Sequence, residues 1–274
     1  MPVEDLIRYF NAADRDGDSL LYPRQGQVEA WHAGVRLFSR FEPIVDLCSE
    51  RIVGHRASLH GQRENGEEIG SEAIYALCEQ ENSVVYLDRL CRTLHALNFL
   101  AQQRTTGGFL QVQVHPRHLL AVPSQHGLVY EAILKRCGLS PEDIVLELAA
   151  GAIDADGHFT QALQSYRQRG YQLALRLDDA SAPLDKALAL QPDVIRLAQP
   201  LPDFALAAQQ AGIVCQQGAV ADGEALRAAC QQGLSQASGA LFGAPAASCQ
   251  PTHSGAVKPY NSSSLHRIEH ENRQ

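Results

Sequence analysis

Short β-branched runs alternate with longer amphipathic stretches over residues 32–246. Period-two or continuous apolar runs predict strands at 35–45 (VRLFSRFEPIV), 51–59 (RIVGHRASL), 109–115, 144–149, 171–177, 193–198 and 212–217, with a weak one at 239–242 (GALF). Val84, Leu87, Leu94 and Leu97 recur near helical spacing and predict a helix over 84–103. Repeated strand-then-helix order argues for a mainly parallel sheet, and eight strands fit a closed barrel. The first two strands, however, are separated only by DLCSE, too short for a parallel crossover, so they should form an antiparallel hairpin. The expected fold is α/β, a modified (β/α)8 TIM-type barrel with an antiparallel first strand, occupying 32–246.

Both ends break the pattern. Residues 1–31 read as a polar leader with one short helix, and 247–274, rich in Ser, Pro, His and Asn without periodicity, as a disordered tail. Asp14, Asp16 and Asp18 around Gly17 resemble a calcium loop. Setting Gly17 at that loop's glycine puts Ala12 at the first ligand position and Pro23 at the last, so the segment reads as a solvated turn.

Composition narrows the partners. Thirty-one acids against 23 Lys and Arg give a net charge of -8, and no basic run is interleaved with aromatics, which argues against nucleic acid. Seven widely spaced cysteines without a C-x-x-C pair are those of reduced thiols, with no disulfide framework and no zinc site expected. No apolar segment approaches eighteen residues and the N-terminus lacks a signal-peptide pattern, so a cytoplasmic chain without membrane contact is expected.

Several motifs then fall in order: FEPIVDL, RIVG, YLDRL, LQVQVHPRHL, IVLELA after GLSPED, RGYQLAL, QPDVIRL and ASGALFGAP. From Phe38 to Pro245 the chain resembles the EAL domain family, bacterial barrels that hydrolyse the second messenger cyclic di-GMP. The resemblance implies a site at the C-terminal mouth where acids and an asparagine hold two divalent metals that activate water. Carried over residue by residue, Arg56 stands at the glutamate of the E-A-L signature, Ser58 at its leucine and His60 at the following arginine. Gln113 stands at the asparagine, and Glu147 alone keeps its carboxylate. The paired aspartates fall on Arg176 and Leu177, although Asp178 and Asp179 lie two residues on. Arg196 and Ala198 stand at the lysine and aspartate of K-I-D, Gln217 at the glutamate of E-G, and Glu42 at a ligand-reading glutamine. The segment between Ala198 and Gly212 is about one helix shorter than the family's.

Guanidinium offers only donors and stays protonated, so Arg56 cannot ligate a metal. A unit charge about 4 Å from it feels roughly 4 kcal/mol at an effective dielectric of 20, and a divalent ion about twice that. No divalent cofactor is therefore expected. Strand parity puts Arg56, Ser58 and His60 on one face, and Gln111, Gln113 and His115 on one face of the next strand, both lining the interior. A buried Glu147 without metal should pair with Arg56 or Arg176.

Two constructive readings of the mouth compete with simple internal ion pairing. His115, His118, His60 and Glu147 offer a transition-metal donor set. Arg56, His60, His115, Arg176 and Arg196 offer an anion site that holds cyclic di-GMP or another phosphate without cleaving it. Cys215 is placed on an inward-facing position near Gln217, but no histidine base lies nearby in sequence. Family members with eroded signatures act by binding proteins, so the resemblance implies an inactive regulatory module with an unidentified protein partner and weak or absent cyclic di-GMP binding. Homodimerisation fits the family. The partner surface is sought at the crossover 200–210 and on the helix 84–103. A non-hydrolysing nucleotide sensor is the alternative, and a residual phosphodiesterase the third.

Overall fold

The computed structural model describes residues 3–13, 19–106, 108–122, 124–153 and 157–251. The strands are β1 (Ser19–Arg24), β2 (Gln27–His32), β3 (Val35–Asp46), β4 (Arg51–Arg63), β5 (Glu68–Gly70), β6 (Phe109–Gln113), β7 (Ile144–Ala149), β8 (Gln172–Leu177), β9 (Val194–Leu197), β10 (Val214–Gln217) and β11 (Gln236–Ala237). The helices are α1 (Val3–Ala13), α2 (Ser71–Tyr75), α3 (Glu81–Thr106), α4 (Pro116–Ala121), α5 (Leu128–Cys137), α6 (His158–Gln168), α7 (Leu184–Ala189), α8 (Pro202–Gln210) and α9 (Gly223–Gln231).

Strands β3, β11, β10, β9, β8, β7, β6 and β4 follow one another, and β4 pairs back with β3 to close a barrel. Strand β3 runs antiparallel to both of its barrel neighbours, while the other pairings around the ring are parallel. The predicted antiparallel start is therefore present. Gly54 permits the close approach of β4 to β6, since a Cβ there would lie 2.7 Å from Phe109 O.

Alternation along each strand divides two environments. On β7, Ile144, Leu146 and Leu148 face the helices and join the large outer core. Val145 faces inward, where it meets Ala174 and Val194 in a small apolar layer with Phe109 and Val214. Above this floor the interior turns polar, with Gln111, Glu147, Arg196 and Gln216 all buried.

Three expectations are corrected. The eighth strand is Gln236–Ala237, not 239–242. Gly239 takes φ +145° beside the backbone of Val220, a conformation closed to side-chain-bearing residues, so the chain turns there. The segment 1–31 holds the expected helix, but also a hairpin, β1 and β2, that joins β3 through Ala30 and Leu37. Two-residue turns with positive φ at Gln25 and Gly26, and at Ala33 and Gly34, make the links β1–β2 and β2–β3. Finally, the first residues assigned to the tail are held on the barrel. Cys249 N donates to Gln102 Oε1 (2.7 Å) and Gln250 N to His55 Nε2 (3.0 Å). Asp14–Asp18 and residues beyond Pro251 lie outside the described residues.

Candidate functional site

At the C-terminal mouth the interior strands bring their charges to one carboxylate. Glu147 is fully buried, and Arg56 grips it with Nε to Oε2 at 2.8 Å and Nη2 to Oε1 at 3.0 Å. Gln111 Nε2 donates to the same Oε2 at 2.8 Å. Arg176 Nη1 lies 3.6 Å and Arg196 Nε 3.7 Å from Glu147 oxygens, and both are mostly buried. Burial alone would raise the Glu147 pKa, but the charges of Arg56 and Arg196 and the hydrogen bonds of Arg56 and Gln111 outweigh it and hold the group well below the usual carboxylate range. Glu147 in turn raises the pKa of Arg56. A fork-to-fork pair of this kind locks both side chains in position.

The remaining guanidinium charge is met by other acids. Arg176 bonds Asp178 through Nε and Nη2 at 3.2 and 3.0 Å. Glu42 stands across the ladder from Arg56, accepts from Ser238 Oγ at 3.2 Å, and acts on both Arg56 and Arg196. Three cations thus face three carboxylates. Gly218 makes room for Arg196, because a Cβ there would stand 2.6 Å from its Nη2.

A cleft of about 380 Å³ opens at this mouth, bordered by Arg56, Ser58, Gln113, His115 and Arg176. His115 caps α4, its Nδ1 accepting from Arg117 N at 3.2 Å, and stacks on Tyr75 with ring centres 4.0 Å apart. Burial lowers its pKa.

Residues 27–217, well over half of the chain, match the family model of the EAL domain. The chain belongs to the EAL family. Solved structures agree in fold. The EAL-domain protein YkuI of Bacillus subtilis, in complex with its substrate cyclic di-GMP and calcium, superposes with a TM-score of 0.72 at 17% identity, over 86% of this chain and 62% of that one. BlrP1 of Klebsiella pneumoniae, a calcium and cyclic di-GMP complex, gives 0.66 at 18% identity over 87% and 65%. A standalone EAL protein of Vibrio cholerae O395, bound to cyclic di-GMP, gives 0.60 at 16% over 79% and 94%. This chain therefore spans less than two thirds of the YkuI and BlrP1 chains. Comparison with curated proteins found no match.

The EAL barrels solved with calcium raise the question of whether this mouth suits a divalent ion. Its donors do not fit one. Glu147 has both oxygens engaged, its three cationic neighbours have no lone pair to give, and Gln111 points its NH2 at the carboxylate. Among the described residues no group of three His, Cys, Asp or Glu is arranged to hold a metal.

The sequence reading placed Arg56, Glu147, Arg176, Arg196 and Gln113 at the mouth, where the structure has them. The structure does not bring the expected transition-metal donors together. His118 turns into the helical layer, its Nδ1 3.2 Å from Asp88, and His60 lies against Phe38 and Ser58. Gln217 faces away from the interior, its amide donating to Gly218 O at 2.9 Å. Cys215 is corrected in the same way: it belongs to the outer core, and Gln216 between them is the inward residue, bonding Gln111 and Gln236. Parity counted from the strand end was shifted by one residue. Gln111, expected on the interior face with Gln113, reaches Glu147, whereas nothing in the sequence reading marks Gln216, its partner across the interior. No helix of the described residues is long and apolar enough to cross a membrane.

Proposed function

We propose that this EAL barrel does not hydrolyse cyclic di-GMP and acts as a regulatory, protein-binding module in cyclic di-GMP-related signalling, with the charges at its mouth neutralised by internal ion pairs. The observation that carries this reading is the Arg56–Glu147 fork with Arg176 and Arg196 behind it. Positive side chains take the space and the charge balance that divalent ions would need, and the three-to-three match of guanidiniums and carboxylates leaves little net field for a dinucleotide phosphate. Of the two partner surfaces expected, α3 is largely buried between the barrel and α4 and α5, whereas α8 presents Leu206 to solvent. Of those two surfaces, this reading therefore favours the α8 side for the partner contact.

Arg176 and His115 both border the cleft, which favours a non-hydrolysing nucleotide sensor as the second reading. Calorimetry with cyclic di-GMP, with and without magnesium or manganese, together with a hydrolysis assay, separates these. Silence in both supports the module, binding without turnover replaces it with the sensor, and metal-dependent turnover overturns both.

A further inference from the structure

Of the buried side-chain atoms that lack a hydrogen-bond partner among the described residues, three fall together in the helical layer outside the barrel: Arg92 Nη1, His126 Nδ1 and Tyr166 Oη. Each belongs to a residue at most 3% exposed. They meet where α3, α6 and the segment before α5 converge. The His126 and Tyr166 rings are 5.7 Å apart, and the charge of Arg92 acts on both. Their surroundings hold them in place. Arg92 uses Nη2 and Nε on Asp88, at 2.6 and 3.4 Å, and lies over the Tyr130 ring at 4.8 Å, so that Nη1 is left over. Ser165 Oγ and Arg169 Nε both donate to His126 O at 3.0 Å, and Tyr171 Oη donates to Gly127 O at 3.2 Å, which fastens the His126 segment to α6 and the turn after it.

The cluster also carries one positive charge more than its carboxylates balance. Arg89, one turn before Arg92 on α3 and half-buried, makes no ion pair among the described residues, so the two arginines share Asp88. Arg169, beside His126, is matched by Glu131 at 2.7 Å. His118 adds no charge: its Nε2 accepts from Arg92 Nη2 at 3.4 Å, its Nδ1–H faces Asp88 Oδ2 at 3.2 Å, and burial lowers its pKa to about 4. Burial likewise lowers His126 to about 4 and raises Tyr166 to about 12, so at neutral pH one is an uncharged imidazole and the other an intact phenol. His158, its ring 5.5 Å from that of His126, is turned to Leu119 O at 2.6 Å. A guanidinium Nη and a phenol hydroxyl are donors, and the imidazole Nδ1 is one in its Nδ1–H tautomer. A water molecule meets some of these donors but not the leftover charge.

We propose that Arg92 Nη1, Tyr166 Oη–H and His126 Nδ1–H hold a small inorganic anion of halide size, such as chloride, with the Arg89 charge beside it. Charge-assisted hydrogen bonds from three segments then tie α3 and α6 to the segment before α5. An anion that binds only the folded chain stabilises it by mass action, so stability depends on which salt is present even at constant ionic strength. Neither Glu147 nor the α8 surface takes part, and failure of this site leaves the proposed function intact.

Thermal melts of the full chain at pH 7.5 and fixed ionic strength test this, with sodium gluconate replaced stepwise by sodium chloride or sodium bromide. The expected result is a saturable rise in melting temperature of a few degrees with either halide. Tyr166→Phe removes one donor together with an orphaned hydroxyl. In gluconate it should melt no lower than the parent, while the halide concentration giving half the rise should increase about tenfold. Arg89→Gln, which removes the leftover charge, should weaken the rise as well. Crystals soaked in bromide are expected to show an anomalous peak within hydrogen-bond reach of Arg92 Nη1 and Tyr166 Oη. Melts that do not distinguish halide from gluconate, an equal rise in folded Tyr166→Phe, or a water without anomalous signal at that position overturns the proposal.

Discussion

Arg56 and Glu147 stand on β4 and β7, separated by β6, and meet across the barrel interior in two charge-assisted hydrogen bonds of 2.8 and 3.0 Å. Glu147 cannot shed its charge into water, so the fold depends on the guanidiniums that neutralise it. Arg56→Ala is expected to cost about 3 kcal/mol, the cost of leaving a buried charge short of its partner, reduced by whatever Arg176 and Arg196 recover. Arg56→Ala with Glu147→Gln should be less destabilised than the sum of the single variants. Urea denaturation of the four proteins measures this; strict additivity would show that the pair is not coupled.

Arg56→Glu restores the residue type of the family signature and is expected to restore no hydrolysis. It places two carboxylates together while Arg176 and Arg196 remain, with Ala198 and Gln217 offering no anionic ligand. The variant should melt lower than the parent and recover a few degrees in millimolar manganese, whereas the parent should shift by less than about 1 °C. Thermal melts with and without the ion, and a cyclic di-GMP turnover assay, check both halves.

Stability should fall on mild acidification. Burial lowers the pKa of His55, His118 and His126 to about 4 and of His95 to about 3. In the unfolded chain these groups bind a proton near pH 6.5. Their contribution is therefore complete above about 6.5 and is lost as pH drops from there toward 4, each group removing at most about 1.4 kcal/mol per pH unit. Glu147 adds to the loss only below its unfolded value of about 4.5. Denaturant midpoints at pH 7.5, 6.0 and 5.0 should decline in that order, and a flat profile would contradict the buried neutral histidines.

The barrel was legible because its strands obey simple rules. Ile144, Leu146 and Leu148 repeat every second residue, and DLCSE is too short for anything but a hairpin. The β1–β2 hairpin was not legible. Its turns use Gln25-Gly26 and Ala33-Gly34 in place of the Asn-Gly or Asp-Gly that announces such a loop, and Pro23 inside β1 argues against a strand. At the mouth, the Arg56–Glu147 pair followed from the cost of an isolated buried charge. The roles of Gln216 and Gln217 did not follow, because a one-residue error in register exchanges the two faces of a strand.

The hairpin carries its own protection, and that can be tested. Strand β1 is the edge of the sheet, and Asn11 of α1 covers it by donating to Leu21 O at 2.7 Å and accepting from Leu21 N at 2.9 Å. Pro23, two residues on and facing the same way, has no N–H to offer. Together they leave little of the edge available to a neighbouring strand. Asn11→Ala is expected to cost about 1 kcal/mol for the lost bonds and to open the Leu21 peptide to pairing. Light scattering of the variant at high concentration should then reveal association beyond that of the parent, and the effect should disappear in Asn11→Ala with Leu20→Lys, which charges the exposed edge. Equal scattering by parent and Asn11→Ala would mean that α1 itself, and not its asparagine, guards the strand.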